Sequence, residues 1–371
     1  MKISHSDAGF LLTQEEIWTA IKLMIARMDA IDDRCADGFP LCSRGTDDRW
    51  IVSPGGSWVG GFWAGWWWLR ARVTESMADR NKAAQICQRL SSKIHSRSIN
   101  RSMIFWYGAA LGERWFGDES ARLLASQSAA ALAASYDPAM QCIPVGMDMG
   151  AGADGNRRIS LDTLASAIEL LSDGSHGQAE GIAHRHADVA LAACGTAKGA
   201  YHNEALYGQG VFQPVGHAGA WSRGQAWAMF GLSRAAARWK EPYLSQARSA
   251  CEYWLCSRPE PLTPNRLDQP SGLCDPSASL IAALSMLSLA AIAPDRQRWL
   301  SCAQRQIATI VRSQYFTGLH AEDGAAAAGI FWGGCYQTRP GEQELVESAW
   351  GSFFLMAALC ICAGVIEPTD C

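Results

Sequence analysis

Two kinds of helical segment alternate along the chain. One kind is amphipathic and charged, as in TQEEIWTAIKLMIARMDAIDD (13–33) and DRQRWLSCAQRQIATIVRSQ (295–314). The other is apolar nearly all round, as in SWVGGFWAGWWWLR (57–70) and PSASLIAALSMLSLAAIA (276–293). A helix that is apolar on every side is buried, whereas one with a polar face lies against solvent. The alternation therefore predicts inner and outer helices, six of each, in an all-α (α/α)6 barrel.

About twelve helices are expected, separated by loops rich in Gly, Pro, Ser and Asp. Their predicted starts are near Thr13, Trp58, Ala78, Met103, Asp118, Ile159, His176, Trp221, Glu241, Pro276, Asp295 and Val346. We expect one domain over residues 1–371, with 1–12 as a flexible N-terminal segment. Two stacked helical domains are the alternative, but no linker-like segment divides the chain.

Inner helices of such a ring run parallel, so their N-terminal ends gather at one end of the barrel. The predicted starts of these otherwise apolar helices carry polar and aromatic residues, for example Gly56-Ser57-Trp58 and Trp221-Ser222-Arg223. We therefore expect a pocket at that end.

Composition and charge narrow the function class. The 371 residues carry a formal charge of −4, which gives no electrostatic reason for binding nucleic acid or an anionic membrane. No apolar run is long enough for a membrane span, and the first residues do not resemble a secretory signal. We expect a cytoplasmic protein.

The cysteines and histidines do not predict a metal site. There are 13 cysteines, an odd number, and none forms a C-x-x-C pair. Free, buried thiols are the simpler interpretation. His184 and His186 are two residues apart and point to different helix faces, so no metal site is expected there.

Tryptophan occurs 16 times, more often than Phe or Tyr. We interpret most of these side chains, including Trp63, Trp66, Trp67 and Trp68, as packing between helices. Those at inner-helix starts, Trp58, Trp221 and Trp227, are the candidates for stacking on sugar rings.

Two charged residues are candidates for chemistry in the pocket. Asp162 begins an inner helix in RRISLDTLAS, where the helix N-terminus favours the carboxylate and a dry pocket raises the pKa. It is the candidate general acid or base, and a helix cap is the alternative. Arg223 lies in a first helical turn, where an anionic ligand or a structural salt bridge would offset its charge. His202 is a candidate at the rim.

The motifs WSRGQAW (221–227), W-x-x-G-F-W-x-G (58–65), DPSAS (275–279) and WGSFFLMAAL (350–359) resemble the unsaturated glucuronyl hydrolases, glycoside hydrolase family 88. The unsaturated rhamnogalacturonyl hydrolases are a more distant match. The resemblance covers roughly residues 50–360 and implies the same (α/α)6 barrel.

The resemblance implies removal of a 4,5-unsaturated uronic acid from the non-reducing end of an oligosaccharide. An Asp protonates C4 of the vinyl ether and helps water to add at C5, and the hemiketal collapses to release the sugar. This chemistry needs one carboxyl group and no cofactor. The implied partner is an oligosaccharide with a uronic acid end, bound by a monomer or homodimer.

The family's catalytic Asp matches Asp162, and its substrate-contacting residues match Trp58, His202, Trp221, Arg223 and Trp227. The family Gln matches Gln209 by its Gln-Gly dipeptide or Gln213 by its spacing to Trp221. Ser102 and Ser277 complete the set of substrate-binding residues that the resemblance predicts.

The sequence also departs from the family pattern. The family's second Asp, in a His-Asp-x-Gly-Phe segment, is Ser102 here, and the preceding His is Arg101. Ser166 and Ser352 replace an Asn and a further Asp. Loss of a neighbouring negative charge lowers the pKa expected for Asp162, and a nearby Arg101 would act in the same direction.

The departures leave two alternatives to the family reaction. One is a barrel enzyme with altered chemistry, that is another glycosidase, a lyase or an epimerase. The other is a non-catalytic carbohydrate-binding protein.

Overall fold

A computed structural model describes residues 11–44, 49–150, 152–173, 177–319, 328–339 and 342–371. The predicted helix start at His176 lies outside these residues, as does most of the predicted N-terminal segment, residues 1–12. The described residues form helices joined by loops and two small sheets.

The helices and strands follow one another in this order: α1 (Gln14–Cys35), β1 (Phe39–Arg44), β2 (Arg49–Ser53), α2 (Gly60–Thr74), α3 (Met77–Gln88), α4 (Arg101–Phe105), α5 (Leu111–Phe116), α6 (Glu119–Ala133), β3 (Arg158–Ser160), α7 (Leu164–Ser172), α8 (Gln178–Cys194), β4 (Glu204–Gly208), β5 (Val211–Pro214), α9 (Ser222–Trp239), α10 (Tyr243–Ser257), α11 (Pro276–Ile292), α12 (Arg296–Val311), β6 (Gly334–Arg339), β7 (Glu342–Ser348) and α13 (Ala349–Cys362). A π-helical turn, Trp106–Ala110, joins α4 to α5, so the two form one continuous helix.

The inner helices close into a ring. Around it, α2 packs on α4, α4 on α7, α7 on α9, α9 on α11, α11 on α13, and α13 on α2 again. The outer helices α1, α3, α6, α8, α10 and α12 each pack against a member of this ring. Counted over the described residues, with α4 and α5 as one, there are six inner and six outer helices. The predicted (α/α)6 barrel is confirmed.

Capping residues account for several helix starts. Thr13 and Glu16 form a capping box at α1, and Asp118 caps α6 through the Ala121 amide. At α11, Asp275 accepts a hydrogen bond from the Ala278 amide and Pro276 occupies the first turn. Ser348 caps α13 through the Gly351 amide at 3.1 Å.

The inner helices approach one another closely where they carry glycine. A Cβ on Gly61 of α2 would stand 2.3 Å from the Ile104 carbonyl oxygen of α4, and one on Gly108 would stand 3.0 Å from the Gly61 Cα. Large aromatic side chains fill the space beside these crossings, and Trp63, Trp66 and Trp68 are at most 1% exposed. The packing role predicted for these tryptophans agrees with their burial.

Two small sheets, which the helical pattern does not predict, lie in the loops. One has the strand order β2-β1-β7-β6, so it joins the loop before α2 to the hairpin before α13. The other has the order β3-β4-β5 and lies beside the start of α7. Two predicted helix starts, Ile159 and Val346, belong to strands, and their helices begin only at Leu164 and Ala349.

Candidate active site

A cavity of about 250 Å³ lies where the inner helices begin. Such a volume is at the small end of the range for ligand pockets and suits a single sugar ring. Its lining is formed by Trp58, Asn100, Met103, Asp162, Trp221, Arg223, Trp227, Tyr336 and Trp350. These residues precede or begin α2, α4, α7, α9 and α13, with Tyr336 added from β6. The pocket is therefore at the end of the barrel where the sequence predicts it.

Aromatic rings form most of the cavity wall. The Trp350 ring centroid lies 6.3 Å from that of Trp58 and 6.4 Å from that of Trp227. Tyr336 stacks on Trp350 at an interplanar angle of 13°, and its hydroxyl accepts a hydrogen bond from Trp350 Nε1. Trp221 Nε1 donates to Asn265 Oδ1 at 3.1 Å, which fixes the plane of that ring. Rigid, apolar ring faces of this kind suit the C–H faces of a sugar.

Asp162 is the carboxyl group on the cavity lining. It follows β3 and precedes α7, is only partly exposed, and its Oδ1 is enclosed without a hydrogen-bond partner among the described residues. Burial raises the pKa of Asp162 to about 7; Arg223 and the Asn203 side chain lower it, and Glu204 raises it. At neutral pH the group is thus divided between acid and carboxylate, as general acid/base chemistry requires.

Arg223 is held by protein groups on two sides. Its Nη1 donates to Asp275 Oδ2 at 2.7 Å and to Ser277 Oγ at 3.3 Å, and Nη2 donates to the Cys335 carbonyl at 3.3 Å. The guanidinium also lies 5.1 Å from the centroid of the Trp221 ring. The salt bridge offered as the alternative for Arg223 is therefore present, while the side chain still faces the cavity.

Ser102 is enclosed rather than exposed to the cavity. Its Oγ lies 2.8 Å from Ser166 Oγ, which donates to the Thr163 carbonyl at 3.0 Å. These two serines, at positions where the resemblance predicts an Asp and an Asn, thus bond to each other and tie α4 to α7. Although residue 102 is not a carboxylate, the pKa of Asp162 is still raised, chiefly by burial and further by Glu204.

Arg101 turns away from Asp162. Its guanidinium donates to the Ser98 and Ile94 carbonyls and to Ser135 Oγ, at 3.0, 2.6 and 2.6 Å. It is therefore not among the groups that shift the pKa of Asp162.

The remaining predicted site residues do not line the cavity. His202 is partly exposed, with Nδ1 3.3 Å from the Val215 carbonyl. Gln213 is exposed on β5, and Gln209 is exposed in the β4–β5 turn with a φ of 53°. Ser277 is buried beneath Arg223. Their roles in binding stay predictions.

Sequence reasoning missed Tyr336, Trp350, Asn203 and Asp275 as site residues. Trp350 had a signal, because it begins an inner helix as Trp58 and Trp221 do. Asp275 stands in the DPSAS motif, but only the fold brings it to Arg223. Tyr336 had none, because it lies on β6, a strand that the helical pattern does not predict; β6 pairs with β7, and only the pairing of β7 with the remote β1 places this hairpin in the sheet.

Known proteins resemble the chain over nearly its whole length. No family model matches it. It is 25% identical over 379 residues to the unsaturated glucuronyl hydrolase of Bacillus sp. (strain GL1), which covers 93% of this chain and 95% of that protein. The crystal structure of an unsaturated glucuronyl hydrolase from Bacillus sp. GL1, described as responsible for glycosaminoglycan degradation, has a TM-score of 0.79 at 20% identity, over 94% of this chain and 96% of that one.

Two further crystal structures show the same similarity. The unsaturated glucuronyl hydrolase from Streptococcus agalactiae gives a TM-score of 0.80 at 18% identity, over 99% of this chain and 98% of that one. An unsaturated glucuronyl hydrolase specific for heparin gives 0.82 at 14% identity, over 96% and 99% of the two chains. The predicted resemblance to these glycoside hydrolases is confirmed.

Proposed function

We propose that this protein is a glycoside hydrolase that removes a 4,5-unsaturated uronic acid from the non-reducing end of an oligosaccharide. The observation that carries the proposal is a sugar-sized cavity walled by aromatic rings, with a carboxyl group whose burial raises its pKa to about 7. The similarity to the Bacillus enzyme over 93% of the chain supports the same reaction.

In the proposed reaction the unsaturated ring stacks among Trp58, Trp221 and Trp227. Asp162 in its acid form donates a proton to C4 of the vinyl ether, and positive charge develops at C5 and the ring oxygen. The Asp162 carboxylate then accepts a proton from water as the water oxygen bonds to C5. The hemiketal opens to a ketone at C5, and the hemiacetal left at C1 expels the remaining sugar as an alcohol.

The other cavity residues have supporting parts in the proposed reaction. Protonation at C4 gives an oxocarbenium ion, which is planar around C5 and the ring oxygen. Nearby aromatic faces and a carboxylate stabilise its positive charge. Arg223 retains N–H groups besides those bonded to Asp275, Ser277 and Cys335, and these can contact a polar or carboxylate group of the sugar.

The test is loss of the vinyl-ether ultraviolet absorbance when lyase-derived unsaturated disaccharides of differing linkage and sulfation are added. We expect at least one to lose its chromophore, and Asp162→Asn to lower kcat by about 10³-fold or more. Asp154→Asn, an equal change at an exposed residue outside the cavity, is the matched control. Unchanged turnover by Asp162→Asn would disprove the role of that residue.

A non-catalytic carbohydrate-binding protein is the second candidate, favoured by one observation. Where the family has a second Asp, Ser102 is neutral and bonded to Ser166. This candidate predicts that unsaturated sugars quench tryptophan fluorescence while the absorbance of the chromophore persists. Trp58→Ala weakens such quenching, whereas Trp18→Ala, on the outer surface of α1, leaves it unchanged.

A further inference from the structure

Asn203 lies beside Asp162 although it does not line the cavity. Strands β3 and β4 pair so that Ser160 stands opposite Glu204. The next residues continue this antiparallel arrangement, and the Leu161 amide donates to the Asn203 carbonyl at 2.9 Å. The backbone thus holds Asn203 next to Asp162, and the Asn203 side chain is among the groups that lower the pKa of that carboxyl group.

The other side of Asn203 faces the N-terminal turn of α9. A Cβ on Gly224 would stand 3.1 Å from both Cβ and Oδ1 of Asn203. Oδ1 is buried and accepts no hydrogen bond from the described residues. The N-terminal end of a helix carries partial positive charge, which favours the oxygen end of an amide there. That orientation turns the amide nitrogen, the donor, towards Asp162.

We propose that Asn203 is a positioning residue for Asp162: its amide, held between the β3–β4 pairing and the first turn of α9, fixes the rotation of the carboxyl group, so that Oδ1 stays enclosed and the other oxygen faces the cavity. A carboxyl group that rotates freely would spend less time aimed at the reacting carbon. The consequence for turnover rests on the proposed function, whereas the coupling between the two side chains does not.

The proposal predicts two effects of Asn203→Ala. In the proposed arrangement the amide donates to the charged form of Asp162, so its removal raises the pKa of that group. Because a misaligned proton donor slows the chemical step more than binding, kcat falls by about 10–100-fold while KM changes by less than about threefold. A merely structural role would not move the pKa selectively.

The experiment is a pH titration of tryptophan fluorescence in the free protein between pH 5 and 9, where cavity rings report the charge on Asp162. Asp162→Asn identifies the transition by removing it. We expect Asn203→Ala and the isosteric Asn203→Asp to move the midpoint upwards, the latter further because it adds a like charge. Asn203→Asp also covers the case in which the alanine variant fails to fold.

Asn81→Ala is the matched control, because Asn81 is exposed on helix α3 and does not line the cavity. We expect its midpoint to equal that of the unchanged protein. A midpoint that stays the same in both Asn203 variants, or the absence of any transition that depends on Asp162, would overturn the proposal. Since no sugar is present, failure of the chromophore assay alone overturns only the proposed function.

Discussion

Because Asp162 is buried, ionisation of its carboxyl group lowers the free energy of unfolding. The pKa is raised from an ordinary 3.8 to about 7, so the folded protein binds this proton more tightly than the unfolded chain does. The resulting contribution to the free energy of unfolding is complete below about pH 4. It is lost as the pH rises through 7. A site built to hold a neutral acid is therefore a source of instability in mild alkali.

We expect Asp162→Asn to be more stable than the unchanged protein above pH 7, by on the order of 1 kcal/mol or more, because Asn carries no charge to bury. The difference should shrink towards pH 4. Thermal unfolding followed by circular dichroism across this range measures it. Asp154→Asn, at an exposed position, should show no such trend, and a pH-independent difference for Asp162→Asn would contradict the raised pKa.

Sequence could predict Asp162, Trp58, Trp221, Arg223 and Trp227 because each stands at or near the start of an inner helix, and helical periodicity is a local signal. It could not predict what faces them. Strand pairing places Asn203 next to Asp162. Asp275, at the start of α11, contacts Arg223 of the neighbouring inner helix α9. Such contacts between remote segments are set by the fold, not by a local pattern.

Glycine decides how closely the inner helices approach at the crossing of α2 and α4. The space that a Cβ on Gly61 would need is occupied by the Ile104 backbone, which has no alternative rotamer. The adjoining π-helical turn at Trp106–Ala110 lets the helix depart from regular geometry where Gly108 touches Gly61. The crossing thus fixes the position of Met103, which lines the cavity.

We expect Gly61→Ala to lower the free energy of unfolding by about 2–4 kcal/mol, because the added methyl group forces two buried helices apart. Chemical denaturation measures the loss. Gly181→Ala is the matched control, since Gly181 lies in helix α8 with nothing within 4 Å of the added Cβ, and it should gain up to about 1 kcal/mol. Equal effects of the two substitutions would show that the crossing does not resist expansion.

At the scale of elements, the chain's helices were predictable and its strands were not. The apolar and amphipathic segments give the helix starts within a few residues, because capping residues and periodicity are local. The helices α7 and α13 begin later than predicted because the apolar residues taken as their starts, Ile159 and Val346, belong to strands β3 and β7, which precede them. Pairing of β1 with β7 joins residues about 300 positions apart, which no periodicity reports.

At the scale of the whole molecule, no disulfide bond contributes to stability, which therefore depends on packing. All 13 cysteines are free; nine are buried and only Cys256 is exposed. Burial raises the pKa of several of these thiols, for example that of Cys87 to about 12. Buried, protonated thiols are unreactive. None of the helices in the described part of the chain is long and apolar enough to cross a membrane.

We expect a thiol reagent such as DTNB to modify about one cysteine of the native protein rapidly, Cys256; the half-buried Cys274, Cys302 and Cys362 should react more slowly, and the nine buried cysteines only on unfolding. Cys256→Ser should abolish the rapid phase without changing the thermal midpoint. Rapid reaction of several thiols in the native state would mean that the ring opens more readily than its burial indicates. Absorbance at the reagent's product band gives the count directly.

The pairing of β1 with β7 also determines at which point of synthesis the ring of helices can close. Together with the buried ion pair between Arg27 of α1 and Glu347 of β7, it joins the beginning of the ring to its end. A nascent chain therefore carries an open row of helical hairpins, with apolar inner faces exposed, until α13 is in place. Trp350 and Tyr336 complete the cavity only at that moment, so a fragment that stops short of them has neither a closed core nor a complete cavity.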